Sequence, residues 1–135
     1  MKRFSVCGLF NLVLSVVIAA GSISFLGPCI HEDGSFGACH WAGQTLFGIG
    51  ILLAAESLFV LLCVNSRTRQ GIYGSMLLTA VLGCLIPGTL IDLCHMETMR
   101  CRALMQPAMI ILCALTGMIS LIGFFLERRK AGKQV

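Results

Sequence analysis

The residues best able to do chemistry in this chain are its cysteines and histidines, and they are unevenly placed. All three histidines and four of the eight cysteines fall in two short stretches. The first, "CIHEDGSFGACHW", holds Cys29, His31, Cys39 and His40. The second, "LCHMETMRC", holds Cys94, His95, Met96, Met99 and Cys101. Three chemistries fit these residues. The first is structural disulfides: four cysteines allow three connectivities. Pairs Cys29–Cys39 and Cys94–Cys101 would close each stretch on itself, and crossed pairs would staple the two together. The second is a soft metal site. Thiolate, thioether and imidazole are the donors that copper and zinc take, which makes His31, His40, His95, Met96 and Met99 candidate ligands beside the cysteines. The spacing is not that of a Cys-x-x-Cys or His-x-x-x-His motif, and neighbours such as Cys39 and His40 point about 100° apart on a helix. The third is thiol redox chemistry at Cys39 or Cys101. Cys101 stands between Arg100 and Arg102, and Cys39 stands beside His40; a cationic neighbour favours the thiolate. Membrane enzymes that pass electrons from thiols to quinone carry tight Cys-x-x-Cys pairs, and the pairs here are wider.

What positions these residues follows from composition. Only 12% of the 135 residues are charged and 57% are hydrophobic, against roughly a quarter charged in an ordinary soluble domain. The charges are clumped. Between them run four apolar stretches, 4–27, 43–64, 72–91 and 104–126. A membrane span needs about 20 apolar residues. A soluble amphipathic helix would break "LFGIGILLAAESLFVLLCV" or "PAMIILCALTGMISLIGFFL" with a polar residue every three or four positions. The reading is an all-α integral membrane protein, one domain over 1–135. It has four transmembrane helices in two hairpins, 4–64 and 72–126, and a basic tail over 127–135.

Charge placement predicts orientation. Lys2, Arg3, Arg67, Arg69, Arg128, Arg129, Lys130 and Lys133 fall on one side of such a four-span chain; only Arg100 and Arg102 fall on the other. The positive-inside rule then puts both termini and the 66–71 turn in the cytoplasm and the two Cys/His loops outside. The first span starts like a signal peptide, but its apolar run is longer than the usual h-region of about 7–15 residues. It reads as an uncleaved helix. The lipid bilayer is the expected partner, with the basic tail meeting anionic head groups. A net charge of +4 with no basic domain excludes a nucleic-acid role.

The two loops resemble each other. Each opens on a Pro/Gly break, at Pro28 and at Pro87-Gly88. Each then places a cysteine near a histidine and acids after it, and ends on Cys39-His40 or Cys101-Arg102. This suggests a duplicated two-helix unit with a pseudo-twofold axis along the membrane normal. Small-xxx-small pairs at Gly50/Ala54, Thr79/Gly83 and Thr116/Ser120 predict close helix packing. Glu56 is the buried polar candidate. A carboxylate at membrane depth costs a few kcal/mol or more, so it is expected to meet Ser15, Thr79 and Thr116 in a polar layer. Its role is hydrogen-bonding glue or a proton path. Cys7, Cys63, Cys84 and Cys113 read as small apolar residues within the spans, and Trp41 as an interfacial anchor.

The stretches "GACHWAGQ", "LIPGTLIDLCHMETMRC" and "MQPAMIIL" carry a resemblance. Four short spans with Cys-His-Trp at 39–41 and Met-Arg-Cys at 99–101 resemble the small bacterial membrane proteins grouped as domain of unknown function 4418. The resemblance covers nearly the whole chain. It implies a four-helix protein of the bacterial inner or plasma membrane, and it suggests an accessory subunit of a transport complex; it implies no activity. No nucleotide-binding loop, metalloprotease helix or nucleophile elbow is present. The expected function is a non-catalytic membrane module, within a transport complex or a homo-oligomer, whose outer Cys/His/Met loops bind zinc, copper or a partner. The alternative is a quinone-linked membrane thiol-disulfide oxidoreductase.

Overall fold

The structure is a computed structural model. It describes residues 5–24, 38–92 and 101–133, and for Cys39 and Cys101 the backbone alone. Four helices fill it: α1 (Val6–Ile23), α2 (Ala38–Leu62), α3 (Ser66–Leu85) and α4 (Gln106–Lys133), the last entered through a π-helical turn, Cys101–Met105. The described residues contain no strand, only an isolated bridge between Pro87 and Ile91.

Local chemistry sets the ends. Three residues separate α2 from α3, so the two helices must run antiparallel as neighbours. Asn65 caps α3: its side-chain carbonyl accepts the Arg67 amide at 3.2 Å and its backbone carbonyl accepts the Arg69 amide at 3.1 Å. The cap meets two of the amide donors that a helix start leaves open. At the far end of α3, Pro87 cannot donate an amide. The chain turns there through Gly88, at φ 89°, with Leu90 and Ile91 donating back to Leu85 and Ile86. A side chain at Gly88 would run into Gln106 at the start of α4. Glycine therefore serves the turn twice, by its left-handed backbone and by its lack of bulk.

The helices form a ring in which each packs on the next, with α1 on α2 and α3 on α4 the most intimate pairs. Backbones approach where side chains are absent. A Cβ on Gly50 would lie 2.7–2.9 Å from the backbone and Cβ of Ala19, and one on Gly8 would lie 3.1 Å from Val60. On the other hairpin, Gly83 faces Cys113, Gly117 faces Ala80 and Gly123 faces the ring of Tyr73. Inside the ring sit Ile18, Leu46, Leu53, Met76, Met105 and Met109, all buried; outside it Phe10, Val16, Phe59, Leu78 and Ile122 are exposed. An apolar perimeter round a packed interior suits lipid contact, where association rests on close packing.

Among the described residues, three helical segments are long and apolar enough to cross a membrane: Val6–Ile23, His40–Leu62 and Arg102–Lys133. The third expected span differs from its sequence reading. Its helix stops at Leu85 instead of 91, because Pro87 and Gly88 turn the chain, and its first turns carry Arg67, Arg69 and Gln70. From Ile72 to Leu85 the apolar part rises about 21 Å, short of a bilayer core of about 30 Å. The expected basic tail differs too: α4 continues through it to Lys133. Close approach at Gly50 is testable. Gly50→Ala should lower stability by about 1–3 kcal/mol, the usual penalty of overpacking. Gly48→Ala, where a Cβ meets nothing within 4 Å, should not. Thermal unfolding in detergent, followed by circular dichroism, compares the two.

Candidate functional site

The end of α1, the starts of α2 and of the π turn, and the end of α3 lie at one end of the bundle, opposite Ser5 and Lys133. Cys39 and His40 lie in the first turn of α2. The His40 Nε2 lies 3.2 Å from the Gln44 amide nitrogen, and its ring stands edge-on to Trp41 at 5.8 Å. Trp41 is exposed. Cys101 opens the π turn that leads into α4; such turns recur at functional sites. Thus both elements that begin with a candidate thiol emerge on the same end. Cys29, His31, Cys94, His95, Met96 and Met99 lie outside the described residues, and so do the disulfide pairings and the metal set built on them.

Below this end the structure gathers donors that the sequence reading passed over. Starting at Cys101, every fourth residue is a sulfur amino acid: Cys101, Met105, Met109 and Cys113. Positions four apart share a helix face. Met105, Met109 and Cys113 are all buried within one core cluster, with Cys84 packed against it. Cys84 and Cys113 carry free thiols that lie within hydrogen-bond reach of each other across the α3–α4 interface. The Cys84 thiol also donates to the Ile110 carbonyl at 3.6 Å. The signal was legible as a four-residue spacing. Of its members, Cys113, like Cys84, reads from sequence as a small apolar residue.

In place of the expected polar layer of Glu56 with Ser15, Thr79 and Thr116, two polar bonds cross the seams between hairpins. Glu56 lies less than two turns from the end of α2. Its carboxylate accepts the Ser75 hydroxyl at 2.5 Å across the α2–α3 seam. Ser15, Thr79 and Thr116, the expected partners, do not reach it. Their hydroxyls donate to the carbonyl four residues back on their own helices, at Asn11, Ser75 and Leu112, the local bond that Ser and Thr make within helices. On the opposite seam the Asn11 amide donates to Ser120 at 3.0 Å, joining α1 to α4. The two seam bonds correspond: the shift along the chain that carries Asn11 onto Ser75 also carries Glu56 onto Ser120.

At the end with both termini, a buried ion pair was hidden from sequence reading. Arg69 was read as a turn charge and Glu127 as part of the tail. They meet instead between α3 and α4, Arg69 Nη2 to Glu127 Oε1 at 3.3 Å, with Glu127 2% and Arg69 7% exposed. Lys130 donates to the same oxygen at 2.8 Å. One turn along, Tyr73 lies flat against Gly123, and its hydroxyl is 2.7 Å from that of Ser5 on α1. The clasp therefore ties α1, α3 and α4 together. Its one sequence signal is that Glu127 is the only acid after Glu97.

Fold and site together define a class: a small all-helical protein with three segments able to cross a membrane, soft donors at one end and a charged clasp at the other. The family model described as Domain of unknown function (DUF4418) matches residues 11–126, and the chain belongs to that family. The resemblance seen in the Cys-His-Trp and Met-Arg-Cys stretches is borne out. No curated protein and no solved structure matches the chain.

The clasp and the seam make separate predictions. Removing one partner of a buried pair costs about 3–5 kcal/mol because a charge is stranded. Arg69→Met and Glu127→Leu should each destabilise on that scale, while the two combined should cost less than the sum. Denaturation of the four proteins in detergent completes the cycle, and strict additivity would contradict the pair. At the seam, Glu56→Gln keeps an acceptor for Ser75 and should be mild. A double-mutant cycle of Glu56→Leu with Ser75→Ala, in which each change removes the bond, should give a coupling of about 0.6 kcal/mol, the average for hydrogen bonds between membrane helices.

Proposed function

We propose that this protein is a non-catalytic membrane module that binds a soft metal ion, copper or zinc, at a Cys/His/Met cap on the outer face of a bacterial cell membrane. One observation carries this reading. The row Cys101, Met105, Met109 and Cys113 runs from the cap into the bundle, and its last three members are buried in one cluster. Thiol and thioether sulfur are the donors that select soft ions. Candidate cap ligands are His31, His40, His95, Met96 and Met99, beside Cys29, Cys39, Cys94 and Cys101.

Orientation and architecture follow the same reading. All four helices cross or enter the bilayer. The end with Arg67, Arg128, Arg129 and Lys133 faces the cytoplasm by the positive-inside rule, which puts both loops outside. An internal duplication is supported by the matched seam bonds Asn11–Ser120 and Glu56–Ser75, in addition to the likeness of the loops. The apolar perimeter leaves room for a transport subunit or a second copy, in keeping with an accessory role.

Protein purified reduced and without air should carry, or take up, stoichiometric copper or zinc, measured by elemental analysis. Protein that binds neither overturns the reading. Thiol labelling of intact cells, with and without reductant, reports the cap cysteines. Permanently bridged cap pairs would remove them as ligands. Rapid reoxidation of reduced cap thiols by quinone would put a thiol oxidoreductase using Cys39 or Cys101 in its place.

A further inference from the structure

We propose that Cys84, Cys113 and Met109 form a second, buried site within the bundle that holds a single monovalent copper ion. The proposal rests on the soft-metal reading of the cap and assigns it an interior station. The Cys84 thiol reaches α4, donating to the Ile110 carbonyl at 3.6 Å, and packs against the cluster that holds Met109 and Cys113. Met109 lies one turn from Cys113 on the same helix, wholly buried in the same cluster. The two α4 donors are thus four residues apart on one face, and α3 supplies the third.

The register makes the meeting close. A Cβ at Gly83 would stand 2.8 Å from the Cys113 sulfur, and 3.5 Å from Ile49 on α2. The absent side chain lets α3 approach near enough for Cys84 to face Cys113. Apolar Ile49 and Leu46 belong to the same cluster, so the surroundings are dry.

Chemistry then selects the ion. The donor set is sulfur alone, and among the described residues no group of three or more His, Cys, Asp or Glu gathers to hold a metal. Zinc sites are usually four-coordinate with imidazole or several thiolates; three sulfurs in an apolar setting suit copper(I). Binding displaces thiol protons, because the thiolate and not the thiol is the metal ligand. Cys84–SH and Cys113–SH plus Cu(I) give Cu(I) held by two thiolate sulfurs, two protons leave to water, and no electron moves. Met109 donates as a neutral thioether.

The test separates this site from the cap. Full-length protein bearing Cys29→Ser, Cys39→Ser, Cys94→Ser and Cys101→Ser is kept reduced in detergent and titrated with Cu(I) against a chromophoric chelator. One equivalent should remain bound. It should be lost when Cys84→Ser and Cys113→Ser are added. Met109→Leu, which conserves volume and apolarity, should weaken it at least about tenfold, a loss that even an outer-shell change can bring. If cap-substituted protein holds no copper, the buried site is overturned even where the wild-type cap binds metal. If it holds one equivalent while the cap contributes none, the cap reading fails and this one stands. Should the combined serine variant fail to fold, Met109→Leu decides: unchanged affinity overturns the proposal. Recovery of Cys84 and Cys113 as a disulfide from protein prepared without air overturns it as well.

Discussion

The register of α3 against α4 is the constraint on which the rest of the structure depends. Gly83, Gly117 and Gly123 allow the two helices to close at three levels, and each level delivers a different contact. Nearest the termini, Arg69 reaches Glu127. One turn further, Tyr73 lies on Gly123. Toward the cap, Cys84 meets Cys113. A slip of one turn, about 5.4 Å, would break all of these at once and strand a buried carboxylate and a guanidinium. The ion pair thus acts less as a source of stability than as a penalty on wrong registers. That is the best-attested use of a buried charge pair. Packing is forgiving of a slip among similar apolar residues, whereas a stranded charge is not.

The seams between hairpins follow a different logic. Within each hairpin the backbones approach closely; between them single polar side chains make the bridge. Asn11 to Ser120 and Ser75 to Glu56 lie on opposite seams of the ring. Hydrogen bonds of this kind contribute little each in a membrane, but they are directional and so fix how the hairpins face each other. Their correspondence along the chain means that the two seams present equivalent positions filled by different residues. Asn11 is fully buried, and Glu56 sits partly open beside the exposed Ser75. Its second carboxylate oxygen is buried and has no hydrogen-bond partner.

How much of this could be read from the sequence depends on the range of the physics involved. Helices are a local matter, and apolar runs bounded by charges revealed all four. Their ends were less legible. Pro87 and Gly88 stop α3 six residues before the apolar run ends, because apolarity marks burial and the turn follows backbone chemistry. Glu56, expected as a buried polar residue, is half-buried and bonded to Ser75. Its partner was misjudged because Ser15, Thr79 and Thr116 satisfy themselves on their own helices, and depth alone does not say which hydroxyl is free. Arg69 and Glu127 were beyond reach. Both looked like topology charges, and only the α3–α4 register brings them together. The cap candidates with His31, His95, Met96 and Met99 stand as sequence readings.

The sulfur row on α4 was visible in the sequence and passed over, and the reason bears on how such sites arise. Methionine and cysteine can be buried almost without penalty, since a thioether or thiol needs no hydrogen bond to leave water. A carboxylate or imidazole at the same depth would need a partner, as Glu127 has and as Glu56 half has. A membrane bundle can therefore hold soft donors in its core while remaining stably folded and empty, which it could not do with hard ones. Core filling and soft-ion binding are then not rival accounts of Met105, Met109, Cys113 and Cys84. The first is what lets them be there. What goes beyond filling is their arrangement: a four-residue repeat aligned with the cap, ending where glycine on the neighbouring helix admits a second thiol. Leucine would fill the volume of Met105 or Met109, and only sulfur gives the row its donors.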